Sequence, residues 1–82
     1  MRRKRREFGK YIVADPDVAH GQLTFKGTRI FVADVLEQVA EGMAWDEILR
    51  CWHRAIPREA IAEAVRLACQ ALLERSRRRR VA

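Results

Sequence analysis

The sequence is poor in the residues from which metal and cofactor sites are built. Its two cysteines, Cys51 and Cys69, form no Cys-x-x-Cys pair, and its two histidines, His20 and His53, are far apart in the chain. Structural zinc sites need four such ligands at short, characteristic spacings. We therefore expect no metal and no other cofactor. Both cysteines fall on apolar helical positions, which predicts buried, reduced thiols in a cytoplasmic protein.

Long apolar runs and catalytic groupings are missing as well. No stretch approaches the roughly 20 apolar residues that a membrane span needs, so we expect no membrane partner. There is no Ser/His/Asp or Cys/His grouping, no phosphate-binding glycine loop and no paired acid motif. At 82 residues, the chain has room for one domain and little room for a cleft. The sequence predicts a protein that is not an enzyme.

Positive charge is abundant but unevenly placed. The formal net charge is +6, yet the basic residues gather at both ends of a body that is acidic on balance. We interpret residues 1–9 as a flexible basic arm, 10–76 as the single domain and 77–82 as a basic tail. Such ends commonly bind nucleic acid, because neutralised phosphates release counterions. Alternatively, they could keep the protein soluble or bind an acidic partner. The candidate nucleic-acid contacts are Arg2, Arg3, Lys4, Arg5, Arg6, Arg54, Arg58, Arg77, Arg78, Arg79 and Arg80.

Two short segments in the first part of the chain have the composition of β-strands. They are Tyr11–Val13 and Leu23–Lys26, separated by the turn-forming Asp15-Pro16-Asp17. Two such strands are marginal alone and need a helical surface or a second chain to cover them. The stretch Thr28–Val32 then joins this small sheet to the helical part.

Beyond this joint the apolar residues follow a helical period. Helices are predicted at 32–41, 45–53 and 57–76. Gly42 should end the first as a left-handed cap, and Pro57 suits the first turn of the third. The fold class is therefore mainly α: short N-terminal β-strands or a hairpin, then a three-helix, helix-turn-helix-like bundle of winged-helix or homeodomain-like type.

The third helix carries more apolar surface than one buried face requires. This excess predicts a homodimer or higher homo-oligomer, with Leu67, Ala71 and Leu73 as candidate interface residues. The alternative is a core helix with harmlessly scattered alanines. Glu59 and Glu63 are expected on its exposed side, where they oppose entry into a DNA groove.

Three large side chains have both a structural and a functional interpretation. Trp45 and Trp52 lie on one helical face and are expected in the core rather than as base-stacking platforms. Arg29 is expected to pair with Asp34 or Asp15, although it could instead grip a partner's carboxylate.

A set of short segments lies between Tyr11 and Ala68, centred on Gly27, Thr28, Arg29 and Ile30. The other segments are Asp15-Pro16, Val32, Glu41-Gly42-Met43, Trp45-Asp46-Glu47-Ile48-Leu49, Ile56-Pro57, Ala60-Ile61 and Ala64. Through these segments, residues from about Tyr11 to Ala68 resemble a family of short bacterial and archaeal proteins catalogued as a domain of unknown function and described as predicted VapB-type antitoxins. Two departures are His20-Gly21-Gln22-Leu23, where a Gly-Gly-x-Pro turn is usual, and Ala44, where serine or threonine is usual. The structural motif that we carry over from the family is Gly27, Thr28, Arg29 and Ile30.

The resemblance implies a small β element, a helix-turn-helix-like helical part and a dimer. It also implies an antitoxin of a type II toxin–antitoxin system, which binds a PIN-like ribonuclease toxin and represses its own operon by binding DNA. The alternative from another functional class is a homo-oligomeric protein-interaction module without specific DNA binding.

Overall fold

The computed structural model describes residues 4–79. An N-terminal antiparallel sheet of three short strands is followed by three helices, which confirms the expected order of strands and helices. A single turn of 3-10 helix, Ala19–Gly21, lies between the second and third strands. The elements are β1 (Arg6–Glu7), β2 (Ile12–Ala14), β3 (Leu23–Phe25), α1 (Val32–Ala40), α2 (Trp45–Cys51) and α3 (Arg58–Arg79).

The sheet has the order β1-β2-β3, with β2 in the centre. Residues Arg6 and Glu7 of β1 lie opposite Ala14 and Val13 of β2. The first strand therefore lies inside the segment that we expected to be a flexible arm. Two charged residues give no strand signal in a sequence, and β1 forms here because its neighbours hold it against β2.

The joint between sheet and helices is a hydrogen-bonded turn. The amide and the hydroxyl of Thr28 both donate to the carbonyl of Phe25, at 3.0 and 2.8 Å, and the hydroxyl accepts the amide of Ile30 at 3.0 Å. Gly27 has a φ of +77°, which a residue with a side chain adopts only at a cost. The turn directs the chain into α1, as expected from the sequence.

The first two helices end in the same way. The amides of Gly42 and Met43 bond back to the carbonyls of Val39 and Gln38, at 3.0 and 3.1 Å. This is a Schellman motif, with Gly42 at the left-handed position (φ +87°), as predicted. His53 occupies the corresponding position after α2, with a φ of +56°.

The core lies between the inner face of the sheet and the three helices. Ala64 is its last member along α3, although that helix continues to Arg79, beyond its expected end at residue 76. None of the helices described between residues 4 and 79 is long and apolar enough to cross a membrane. The core residues are Ile12, Phe25, Val32, Val35, Ile48, Leu49, Ile56, Ala60, Ile61 and Ala64.

The two tryptophans pack against the core, whereas the two cysteines are exposed. Trp45 and Trp52 are half-buried against the core, and the indole of Trp52 donates to the side chain of Gln38 at 2.7 Å. The prediction of buried thiols is wrong, because Cys51 and Cys69 are both exposed. Cys51 is exposed at the end of α2, although Gln38 of α1 donates a hydrogen bond to its sulfur at 3.4 Å, and Cys69 is exposed on α3.

Candidate interaction surfaces

The basic residues at the start of the described chain, which run into β1, form an exposed cluster with one acidic member. Lys4, Arg5 and Arg6 are exposed, and Arg6 lies 5.1 Å from the ring centroid of Phe8. Glu7 is contacted by Lys26 at 3.1 Å and by Arg5 at 3.3 Å. Lys26 first, and Arg5 to a lesser extent, hold the pKa of Glu7 below its ordinary value. Of the predicted contacts in this region, Arg2 and Arg3 lie outside the described residues.

Arg58 connects the beginnings of α2 and α3. Its guanidinium lies 5.1 Å from the ring centroid of Trp45 and 3.3 Å from the Oδ1 atom of Asp46. This arginine therefore has a structural role, although it is exposed and can still meet a phosphate. Arg54 is exposed in the turn between the two helices.

The distal part of α3 is basic and uncovered. Arg75, Arg77 and Arg78 are exposed, and among the described residues of this segment Arg77 forms an ion pair with Glu74 at 3.9 Å. An exposed pair at this distance contributes little to stability, so these guanidinium groups are available to a partner. Arg79 is the last residue of the helix, and Arg80 lies outside the described residues.

An apolar groove of about 260 Å³ runs between α3 and the rest of the fold; we call it the α3 groove. Of the candidate interface residues, Leu67 and Ala71 line it but Leu73 does not. Two residues along a helix correspond to about 200°, so Leu73 lies on the opposite side of α3, where it is 53% exposed. The groove is lined by Phe8, Ile12, Leu23, Val32, Leu36, Ala64, Leu67, Ala68 and Ala71.

Arg29, the basic residue of the Gly-Thr-Arg-Ile motif, is exposed and pairs with neither of its expected partners, Asp15 and Asp34. The expectation that Arg29 fixes the fold through an ion pair is therefore wrong. Its neighbours Gly27 and Thr28 have the structural role that we expected, because they form the turn between β3 and α1.

Glu63 has a role that we missed in the sequence. We expected it on the exposed side of α3, but its carboxylate accepts the backbone amides of Lys10 and Tyr11 at 2.9 and 2.8 Å. Gly9 lies directly against this carboxylate, since a Cβ atom built there would be 2.7 Å from it. The pairing spans more than 50 residues of sequence, and only the glycine before β2 could have hinted at it.

Among the residues described, no group of three or more His, Cys, Asp or Glu side chains could hold a metal ion. The notable surfaces are therefore the two basic ends and the α3 groove. They belong to a small domain in which three helices pack against one face of a three-stranded sheet.

The chain belongs to the family described as "Protein of unknown function (DUF433)", whose model matches residues 12–68. The expected membership in a family of unknown function is thereby confirmed, whereas the antitoxin role stays a prediction. No protein of curated function and no solved structure matches the chain. The matched segment begins at β2 and ends within α3, so both basic ends and the distal half of α3 lie outside it.

Proposed function

We propose that this protein is an antitoxin-like, DNA-associated regulator of the cytoplasm that acts as a homodimer and binds a PIN-like ribonuclease toxin. The observation that carries the proposal is the distal half of α3. It continues beyond the core for several turns, exposes Leu72 and Leu73, and ends in arginines. A helix that is both apolar and basic along its uncovered length is suited to binding a partner with an apolar and acidic surface.

The helical part supports the DNA role if α2, the following turn and α3 act as a helix-turn-helix unit, with α3 near the major groove. Glu63 no longer opposes this arrangement, because its carboxylate binds the Lys10 and Tyr11 amides. Arg54, Arg58 and Arg66 are exposed around the start of α3, with Glu59 among them. In this proposal the basic ends supply sequence-independent affinity for phosphates, and α3 supplies any specificity.

The α3 groove supports the homodimer. The side of the groove that α3 forms contains the small residues Ala64, Ala68 and Ala71, which allow another helix to approach closely. Leu72 of the same helix is 66% exposed and does not line the groove of its own chain. In a two-fold dimer, each Leu72 would enter the partner's groove.

Charge complementarity favours a second copy as the occupant. The exposed side of α1 carries Asp34 and Glu37, with Glu41 directly after the helix, and α1 also contributes Val32 and Leu36 to the groove. In the proposed dimer, the basic end of a second α3 would pair with these acids. Opposite charges of this kind fix the register of two chains more than they add affinity.

A gel-shift titration tests the DNA role. The protein is titrated against its own upstream DNA and a scrambled duplex at low and at physiological salt. We expect preference for the upstream DNA that survives physiological salt and weakens in Arg54→Gln. Replacing Arg75, Arg77 and Arg78 together by glutamine should weaken binding to both duplexes and flatten the salt dependence. Equal shifts on both DNAs that vanish with salt would restrict DNA binding to the basic ends.

The toxin role is tested with a PIN-like ribonuclease encoded beside this protein. Co-expression should yield a complex, and the ribonuclease activity should fall as this protein is added. Truncation after residue 67 removes the uncovered half of α3 and should release the activity. Undiminished ribonuclease activity at a molar excess of the full chain would refute this part of the proposal.

The second candidate function is a homo-oligomeric protein-interaction module without specific DNA binding, which the α3 groove also favours. It predicts a stable oligomer and no DNA shift near physiological salt. Sedimentation equilibrium of the wild type and of Leu72→Ser tests the oligomer separately from DNA binding. A dimer that dissociates in Leu72→Ser, without any DNA shift in the wild type, would favour this module.

A further inference from the structure

A hollow of about 390 Å³ lies on the face of the sheet away from the core. Val13 and Thr24 are opposite each other in β2 and β3, and both line it. Their chain neighbours Ile12 and Phe25 belong to the core. Because successive side chains of a strand point to opposite faces, the hollow and the core are on opposite sides of the sheet.

Thr24 is the unusual residue of this hollow. It is 1% exposed, and its hydroxyl has no hydrogen-bond partner among the described residues. A buried hydroxyl without a partner lowers stability, and the great majority of such groups in folded proteins are satisfied. A ligand oxygen that accepts this hydroxyl would remove the cost.

Two arginines line the same hollow. Arg29 is exposed and has no ion pair with any described residue, while Arg5 makes only an exposed contact of 3.3 Å with Glu7. Both guanidinium groups are therefore free to turn towards a ligand, and a guanidinium matches the geometry of phosphate oxygens. Gly27 lies in the wall with no heavy atom within 4 Å of where a Cβ would stand, so a ligand can approach the backbone there.

Asp15 is the one acidic residue that lines the hollow. Its Oδ1 atom accepts the amide of Asp17 at 2.9 Å, which ties the carboxylate to the turn after β2. Its charge offsets one of the two arginines and weakens the attraction for an anion. The hollow nevertheless keeps a positive balance, and Asp15 supplies a direct way to test the sign of the ligand.

We propose that Arg5, Arg29 and the hydroxyl of Thr24 form a binding site for a phosphate group, supplied either by a nucleic-acid backbone or by a small phosphorylated compound. The guanidinium groups and the hydroxyl donate hydrogen bonds to the phosphate oxygens. The site does not depend on the proposed antitoxin role, since it uses neither α3 nor the distal arginines.

Calorimetric titration with inorganic phosphate tests the site, with sodium chloride at matched ionic strength as the reference. We expect saturable binding of phosphate that falls roughly tenfold or more in Arg29→Gln and in Thr24→Val. Asp15→Asn should tighten binding, because it removes the opposing charge and keeps the acceptor for the Asp17 amide. Arg50→Gln, which changes an exposed arginine of α2 outside the hollow, is the matched control and should bind phosphate as the wild type does.

Thermal unfolding gives a second readout that a merely structural threonine would not produce. Valine has the shape of threonine without the hydroxyl, so Thr24→Val should unfold at a higher temperature than the wild type when phosphate is absent. Phosphate should raise the midpoint of the wild type but leave that of Thr24→Val nearly unchanged. Phosphate effects equal to those of chloride, or equal losses in Arg29→Gln and Arg50→Gln, would overturn the proposal.

A DNA titration identifies the source of the phosphate. If the backbone of DNA supplies it, Arg29→Gln should reduce the slope of log affinity against log salt by about one, and duplex DNA should compete with inorganic phosphate. If a small compound supplies it, the slope stays the same while the variant still loses inorganic phosphate. Either result supports the site, and neither depends on preference for the upstream sequence, on which the proposed regulator rests.

Discussion

Replacing Glu63 with alanine should lower the free energy of unfolding by about 2 kcal/mol, although the residue lies on a helix surface. Its carboxylate accepts two backbone amides, at 2.8 and 2.9 Å. Hydrogen bonds to charged groups contribute about 1.5–3 kcal/mol each. The net loss is smaller here, since Lys10 is exposed and water can partly replace the carboxylate. In addition, folding of the alanine variant avoids the entropy cost of ordering the glutamate side chain.

Gly9 allows the same contact to be tested from the other side. Its φ is +133°, and a Cβ atom there would be 2.7 Å from the Cδ and Oε2 atoms of Glu63. In Gly9→Ala, the methyl group must displace the carboxylate, which removes both hydrogen bonds in addition to the backbone strain. Gly42→Ala is the matched control, because φ is also positive there and nothing lies within 4 Å of the new methyl group. It should cost only about 1–2 kcal/mol of backbone strain.

A double-mutant cycle measures the coupling between the two residues. Urea unfolding followed by tryptophan fluorescence gives the free energy for the wild type, Gly9→Ala, Glu63→Ala and the double variant. In the Glu63→Ala background, Gly9→Ala should cost less by about 1–2 kcal/mol, since the carboxylate is already absent. Glu63→Gln should lie between wild type and alanine, because an amide oxygen can accept only one of the two donors well. Additivity within about 0.5 kcal/mol would refute this account of the contact.

Three further predictions each test one position in the structure. His53→Gly should raise the free energy of unfolding by about 1 kcal/mol in urea titrations, because histidine holds a left-handed φ of +56° where glycine has no such cost; an unchanged or lower value would contradict this. The pKa of Glu7 is lowered, mainly by Lys26, so the stabilising contribution of Glu7 is present above the ordinary carboxyl pKa and is lost as the pH falls through the folded pKa. In Lys26→Met, the pKa of Glu7 measured by NMR titration should rise towards its ordinary range, and an unchanged pKa would show that Lys26 is not the cause. Cys51 and Cys69 should both react with a thiol reagent without denaturant, whereas protection of either until unfolding would indicate that it is covered in solution.

The order of the elements could be predicted because its signals are local. Apolar residues at helical spacing predicted the three helices. Gly42 predicted the end of the first helix, because glycine adopts the left-handed backbone angle at little cost. Pro57 immediately precedes α3, which begins at Arg58. Each signal spans a few residues and needs no knowledge of what packs against it.

The first strand could not be predicted, because no local signal supports it. Arg6 and Glu7 have neither apolar character nor β-branching, and their pairing with β2 depends on contacts made elsewhere. The amide of Phe8 donates to the carbonyl of Ile12 at 2.9 Å, and Glu63 binds the turn that follows β1. The partner that holds this turn is more than 50 positions away, so a pattern read along the chain does not contain it.

The candidate surfaces show a second limit, since a helical period indicates which residues share a face but not whether anything covers that face. Along the inner face of α3, the sequence passes from Ala64 through Ala68 and Ala71 to Arg75 and Arg78, each three or four positions after the last. The core ends where the stripe begins to widen into the α3 groove, and the stripe becomes basic one turn further on. One continuous helix therefore has a first part that completes the fold and a second part whose apolar and charged residues the described chain leaves uncovered. A partner that covers both the apolar and the charged residues of this second part must place an apolar side chain beside the alanines and acidic groups beside the arginines.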